Sequence, residues 1–202
     1  LIGQEVNRPY HRPALSKGYL KGEISRSELS AEPVGWFAER DIALKTGRRV
    51  AHIDVNAHTA AVDSGEEIQY DKLVLATGST PFVPPVPGRD RNKCFVYRTI
   101  EDLDAMKAAG AKAKNGVVVG GGLLGLECAK ALRDMGLDTN VVEFAPRLMA
   151  AQVDEGGGRI LRNKIEALGL HVHTSRSTVK IVDGAEHLHR MVFEDGTYLE
   201  TD

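Results

Sequence analysis

The chain of 202 residues carries 26 basic against 28 acidic side chains, a net charge of −2, and 21 glycines. That balance excludes a dedicated nucleic-acid or anionic-membrane binder, and an aromatic content of 5% leaves no stacking platform for single strands. No apolar run approaches the ~18 residues of a spanning helix, whereas glycine exceeds its usual ~7% and has to be located.

Residue 1 is Leu, so the chain is expected to be an interior piece of a longer protein or a processed product. Leu1 to Glu5 has no basic-then-apolar leader layout. Cys94 and Cys128 form no CxxC pair and are too few for a zinc site, a disulfide framework or an iron–sulfur cluster held by this chain alone. A reducing cytoplasm is the simplest compartment.

Residues 1–45 read as loop, then as short helices at Ser25–Leu29 and Gly35–Arg40 joined through Pro33. Short strands follow at Val50–Val55, Thr59–Val62 and Lys72–Leu75, with an Asp63–Glu66 turn as in a β-meander. Pro81 to Gly88 holds four of the eight prolines and is a stiff connector. An alanine-rich helix is expected from Leu103 to Lys114 and a buried strand at Gly116–Val119. The next helix, Leu123 to Met135, carries Leu124, Cys128, Ala131, Leu132 and Met135 on one face and stops at Gly136. A buried strand at Thr139–Phe144 precedes a helix striped by Ile160, Leu161, Ile165 and Leu168. Alternating strands and helices predict an α/β fold with a parallel sheet.

The sequence also echoes itself. Without a gap, His58, Val62, Gly65, Ile68 and Asp71 fall on His189, Phe193, Gly196, Leu199 and Asp202. Either two unrelated hairpins share turn chemistry, or the two halves copy one architecture. In the second case a counterpart of Lys72–Ser79 is expected after Asp202, and a glycine-rich loop before Leu1.

The densest glycine run is Gly120-Gly121-Gly122-Leu123-Leu124-Gly125, set between a predicted strand and a predicted helix, the context a dinucleotide fingerprint requires. Gly120 permits the tight turn, Gly122 lets a pyrophosphate approach the backbone, and Gly125 lets helix and strand pack closely. The helix N-terminus offers N–H groups to the phosphates. Glu143 lies 21 residues after Gly122, near the ~20 expected for a carboxylate that bonds a ribose 2′-hydroxyl and repels a 2′-phosphate. NAD is therefore favoured over NADP, although Arg147 stands close enough to keep NADP open.

At Arg12–Lys17, Tyr70–Ser79, Tyr97–Thr99 and Val118–Glu127 the chain resembles the FAD-dependent pyridine-nucleotide oxidoreductases of the glutathione-reductase class. Cys94–Leu103, Gly120–Glu127 and Val142–Met149 resemble the nitrite reductase branch; Arg12–Lys17 is closer to ferredoxin and rubredoxin reductases. The resemblance implies Rossmann-like doubly wound parallel sheets with β-meander crossovers in two related dinucleotide-binding domains, truncated at both ends. Residues 1–98 would be a partial FAD-binding domain and 99–202 an NAD(P)-binding domain.

It implies Lys17 beside the flavin ring, paired with Glu127. Arg12 would contact flavin or phosphate, Val50 the adenine of FAD, and Arg98 the FAD from the domain junction, with Thr77 and Gly78 closing on the FAD side. A cation at the ring stabilises reduced, anionic flavin. Disulfide reductases of the class place a redox cysteine where this chain has Ser16-Lys17, so electrons are expected to leave to an external acceptor. In the nitrite reductase branch that acceptor is a sirohaem with an iron–sulfur cluster, in parts absent from this chain. The alternatives are a ferredoxin or rubredoxin reductase, whose partner is a small redox protein, and a non-catalytic nucleotide-binding sensor. A homodimer is among the expected assemblies. Two His-x-His pairs, His171 with His173 and His187 with His189, could each share a strand face, but no third ligand stands near and no metal is expected.

Overall fold

The computed structural model describes residues 1–185 and 188–202; His187 of the His187–His189 pair therefore lies outside the described residues. The chain divides into two compact units, one of Leu1–His11 with Arg26–Thr80 and one of Arg12–Ser25 with Pro81–Asp202. No helix among the described residues is long and apolar enough to cross a membrane.

The first unit is built on an antiparallel meander of β1 (Val50–Asp54), β2 (Thr59–Val62) and β3 (Glu67–Gln69), in that spatial order. Gly65, at φ +86°, turns the second hairpin, and its N–H donates to Val62 O at 2.9 Å. The third strand is thus not Lys72–Leu75. That stretch forms no strand and has no partner strand among the described residues, with Val74 85% exposed. An apolar strand holds its place only when a neighbour takes up its backbone hydrogen bonds, and among the described residues nothing pairs with it. The two expected helices shrink to single 3₁₀ turns, Ser27–Leu29 and Ala38–Arg40. Neither has a side-chain cap, and one turn fixes more dihedrals than its bonds repay.

In the second unit α1 (Ile100–Gly110) starts three residues earlier than its apolar pattern suggests, because Thr99 and Asp102 form a reciprocal capping box. The parallel sheet has the order β4 (Asn115–Val119), β5 (Asp138–Val142), β6 (His171–His173), with α2 (Leu123–Asp134) and α3 (Glu155–Ala167) as crossovers. A second meander, β7 (Thr178–Asp183), β8 (His189–Phe193) and β9 (Tyr198–Thr201), completes it.

The period-2 alternation of β4 and β5 serves two cores. Val118 and Val141 pack with Leu126, Ala129, Leu148, Leu161 and Ile165 on the helical side. Val117 and Val142 pack with Ile181, Met191 and Phe193 of the second meander on the other side. On α2 the buried face is Leu126, Cys128, Ala129, Ala131 and Leu132, whereas Leu124 is 60% exposed and departs from the expected stripe. Ile160 and Leu168 also face outward on or next to α3, and Phe144 lies beyond β5, largely exposed.

The two meanders are copies down to their irregularities. β1 slips register between Val50 and His52 opposite β2, and β7 slips between Thr178 and Lys180 opposite β8. Ala60 faces Ile68 as Met191 faces Leu199, and Gly196, at φ +81°, repeats the turn of Gly65. Unrelated hairpins would have no reason to share a bulge.

His171 and His173 project from β6 onto β5 side chains: His171 Nε2 lies 2.8 Å from Asp138 Oδ1 and His173 Nε2 2.8 Å from Asn140 Oδ1. Burial first, then the cations Arg176 and Arg162 and the neighbouring His171, hold the His173 pKa below its ordinary 6.5. Below pH 6.5 the unfolded chain therefore takes up a proton that the folded chain refuses, and stability falls until the lower folded pKa is passed. Urea titrations about one pH unit either side of 6.5 should show this loss, and His173→Gln should flatten it.

Candidate dinucleotide site

The glycine run joins β4 to α2, with each residue doing a separate job. Gly120 stands at φ +117°, a conformation that side chains rarely adopt, and its N–H donates to Val142 O at 2.8 Å. A Cβ on Gly125 would lie 1.9 Å from Gly120 O, so helix and turn touch backbone to backbone. Gly122 caps α2 without a side-chain hydrogen bond, and a Cβ there would meet nothing within 4 Å. Open space, a bare backbone and a helix N-terminus of the 12-residue α2 fit a pyrophosphate.

Gly121 carries a constraint that the sequence reading passed over. A Cβ on it would fall 2.5 Å from Leu148 Cδ2 and 3.1 Å from the Glu143 side chain. Its N–H donates to Glu143 Oε2 at 2.6 Å, its carbonyl accepts from Met149 N–H at 2.9 Å, and Leu148 is fully buried. Glu143 Oε1 also accepts from Ala145 N–H at 2.7 Å. The carboxylate stands just past the end of β5, fixed on both oxygens, beside the Gly120–Gly125 loop. The only sequence signal for this is a glycine at the variable position between Gly120 and Gly122.

A second cavity, of about 350 Å³, lies next to α2 and is lined by Arg12, Ser16, Lys17, Tyr97, Arg98 and Glu127 among others. Residues Leu15–Tyr19 form a π-helical turn in which Leu20 N–H donates to Leu15 O at 3.0 Å, five residues back. Such wide turns concentrate at functional sites. Tyr19 fastens it to α1: its hydroxyl bonds Asp104 Oδ1 at 2.5 Å, and Lys107 Nζ lies 4.6 Å from its ring centre and 3.3 Å from its carbonyl. Arg12 Nη1 donates to Arg98 O at 2.6 Å, and Asp102 accepts the Arg98 and Thr99 N–H groups.

Lys17 and Glu127 thus share one cavity, but no ion pair joins them among the described residues. Ser16 is buried and donates to Pro13 O at 3.3 Å, and the buried Tyr97 hydroxyl lies beside it. Burial, then the Cys128 and Glu127 side chains, raise the Tyr97 pKa, so it stays a neutral phenol. Burial pushes the Cys128 thiol up to about 12, which keeps it an inert core group.

A larger, mostly apolar cavity of about 840 Å³ runs along β4 from the proline connector to Gly120 and Glu143. The expected residues therefore gather in two places: Gly120, Gly122, Gly125 and Glu143 at the loop, and Arg12, Lys17, Arg98 and Glu127 in the smaller cavity. Val50, Thr77 and Gly78 belong to the first unit; Val50 opens β1 opposite Val62, Thr77 is exposed, and Gly78 has φ +69°. Among the described residues no group of three His, Cys, Asp or Glu could hold a metal ion.

The sequence profile of the pyridine nucleotide-disulphide oxidoreductases matches residues 1–202. The chain belongs to that family. It is 50% identical over 199 residues to the nitrite reductase [NAD(P)H] large subunit of Klebsiella oxytoca, covering 98% of this chain and 20% of that protein. It is 30% identical over 202 residues to the rubredoxin-NAD(+) reductase of Pseudomonas putida, covering all of this chain and 52% of that one. A ferredoxin reductase from Rhodopseudomonas palustris superposes with a TM-score of 0.93 at 32% identity, over all of this chain and 50% of its own. The chain thus spans about a fifth of its nitrite reductase relative and about half of the others. The Rossmann-like α/β architecture is that of the family.

Gly121→Ala should displace Leu148 or the loop above it, costing about 1–3 kcal/mol as other overpacked sites do. Thermal unfolding measures the cost, and a weakened nucleotide titration shows that the joint serves the site.

Proposed function

We propose that this chain is the NADH- and flavin-handling part of an electron-transfer oxidoreductase. One observation carries the reading: α2 begins at the open Gly122 and, five residues on, presents Glu127 to the cavity that holds Lys17. At 1.5 Å per residue, the proposed phosphate and ring positions lie about 7–8 Å apart along one rigid helix.

Bound NADH and FAD supply hydride transfer between nicotinamide and flavin rings. The chain's residues do the rest. The α2 N-terminus and the Gly120–Gly125 backbone hold the NADH phosphates, and Glu143 takes the ribose hydroxyl. Lys17 sets a cation against the flavin ring, Glu127 orients the nicotinamide amide, and Arg12 and Arg98 hold the flavin side. Val50, Thr77 and Gly78 are further FAD-binding residues, and the FAD- and NAD(P)-binding portions are residues 1–98 and 99–202. Ser16 offers a hydroxyl and no thiol, so electrons pass to an acceptor outside this chain.

The 50% identity to a nitrite reductase large subunit favours a terminal sirohaem with an iron–sulfur cluster elsewhere in a longer protein. The second reading, delivery to a rubredoxin or ferredoxin, is supported by the R. palustris fold at TM-score 0.93. FAD-loaded full-length protein should reduce a soluble dye with NADH faster than with NADPH. NADH binding without any dye reduction would identify a sensor instead. Glu143→Ala should weaken NADH binding by ~1–3 kcal/mol, the cost of a lost charged hydrogen bond; an unchanged titration removes Glu143 from the site.

A further inference from the structure

Arg147 lies four residues beyond Glu143, where its charge could serve a 2′-phosphate and admit NADPH. Its surroundings give it another task. Nε donates to Val153 O at 2.9 Å and Nη2 to Ala150 O at 3.1 Å, so two of its three nitrogens face inward onto the backbone of its own loop. The stem is walled in as well: a Cβ on Gly158, in the first turns of α3, would stand 3.0 Å from Arg147 Cβ and Cδ. Asp154 caps α3 through Gly157 N–H at 2.7 Å, fixing the far wall.

We propose that Arg147 is a positioning residue that braces the loop after β5 from within and is thereby withheld from a 2′-phosphate, leaving nucleotide choice to Glu143. The proposal rests on the reading of Gly120–Gly125 and Glu143 as the NADH site.

The brace reaches the phosphate loop through a short chain of contacts. Arg147 holds the carbonyls of Ala150 and Val153. Gln152 N–H and Val153 N–H both donate to Met149 O, at 2.8 and 3.1 Å. Met149 sits at φ +47°, a strained value for a side chain, and turns its own N–H onto Gly121 O at 2.9 Å. Without the brace, the carbonyls of Ala150 and Val153 lose their side-chain donors, and the strained turn at Met149 that sets the plane of Gly121 through its carbonyl loosens. Swinging Arg147 out to a phosphate would strip the carbonyls of Ala150 and Val153 of their donors at the same time. NADPH therefore meets the Glu143 carboxylate without Arg147 to compensate it.

The test uses full-length, FAD-loaded protein carrying Arg147→Met, with ferricyanide as acceptor and NADH or NADPH as donor, and with hydrogen exchange of the Gln152 and Val153 amides. The KM for both nucleotides should rise by the same factor, about tenfold for two lost charge-assisted bonds. The kcat and the NADH-to-NADPH preference should stay put, and both amides should exchange faster. A loss confined to NADPH would make Arg147 a phosphate ligand and overturn the proposal; so would unchanged KM values with unchanged exchange. If Arg147→Met does not fold, Arg147→Lys keeps the charge but cannot reach both carbonyls. It should show the same equal loss, and full retention with both nucleotides would refute the brace. Wild-type protein that binds neither nucleotide would refute the NADH reading alone, with the exchange data still deciding whether Arg147 braces the loop.

Discussion

Everything proposed for this chain hangs on the joint at Gly121, where two strand ends are tied together. A parallel sheet leaves its carboxyl-end loops free to move independently, and ligands bind between them. Here the loop after β4 and the loop after β5 share one residue: Glu143 accepts the Gly121 N–H, Met149 donates to the Gly121 carbonyl, and Leu148 fills the space beneath. The hydrogen bonds set orientation, and the buried leucine supplies most of the free energy, roughly 1.5–3 kcal/mol for a fully buried side chain. The proposed phosphate and ribose positions are thereby fixed relative to each other before any ligand arrives, which reduces the ordering cost of binding.

The smaller cavity follows the same rule of borrowed rigidity. Lys17 is exposed and has no partner among the described residues, so its position depends on the π-helical turn beneath it, and that turn depends on Tyr19, Asp104 and Lys107. The α1 capping box then fixes the backbone at Arg98, which receives Arg12. A lysine left unpaired keeps its full charge available to a ring beside it. A tight ion pair to Glu127 would have cancelled much of that field.

Sequence patterning revealed the parts that local chemistry dictates. The β4–loop–α2 unit, the turns at Gly65 and Gly196, and the stop at Gly136 follow from glycine's conformational freedom, and the repeated meander follows from side-chain spacing. It failed where a tertiary neighbour decides. Lys72–Leu75 has strand chemistry without a partner strand, and Leu124 fits a helical stripe but stands at the mouth of the Lys17 cavity. The π-helical turn could not be seen because its bonding depends on what α1 offers it. The Gly121 joint was invisible for the same reason, since Leu148 is 27 residues away.

A carboxylate already holding two backbone N–H groups is not spent, since its capacity is about four acceptor sites. Glu143 uses one on each oxygen, for Gly121 and Ala145. Each oxygen keeps a lone pair, enough for ribose hydroxyls, while the two N–H groups hold the charge in place. Against a 2′-phosphate the same fixity works in reverse. A flexible glutamate could turn away, whereas one anchored on both oxygens must sit beside the added charge, at about 4 kcal/mol per unit charge for a 4 Å separation near a protein surface. On the proposed reading, discrimination then comes from repulsion that cannot relax, because Gly121 and Ala145 hold both Glu143 oxygens.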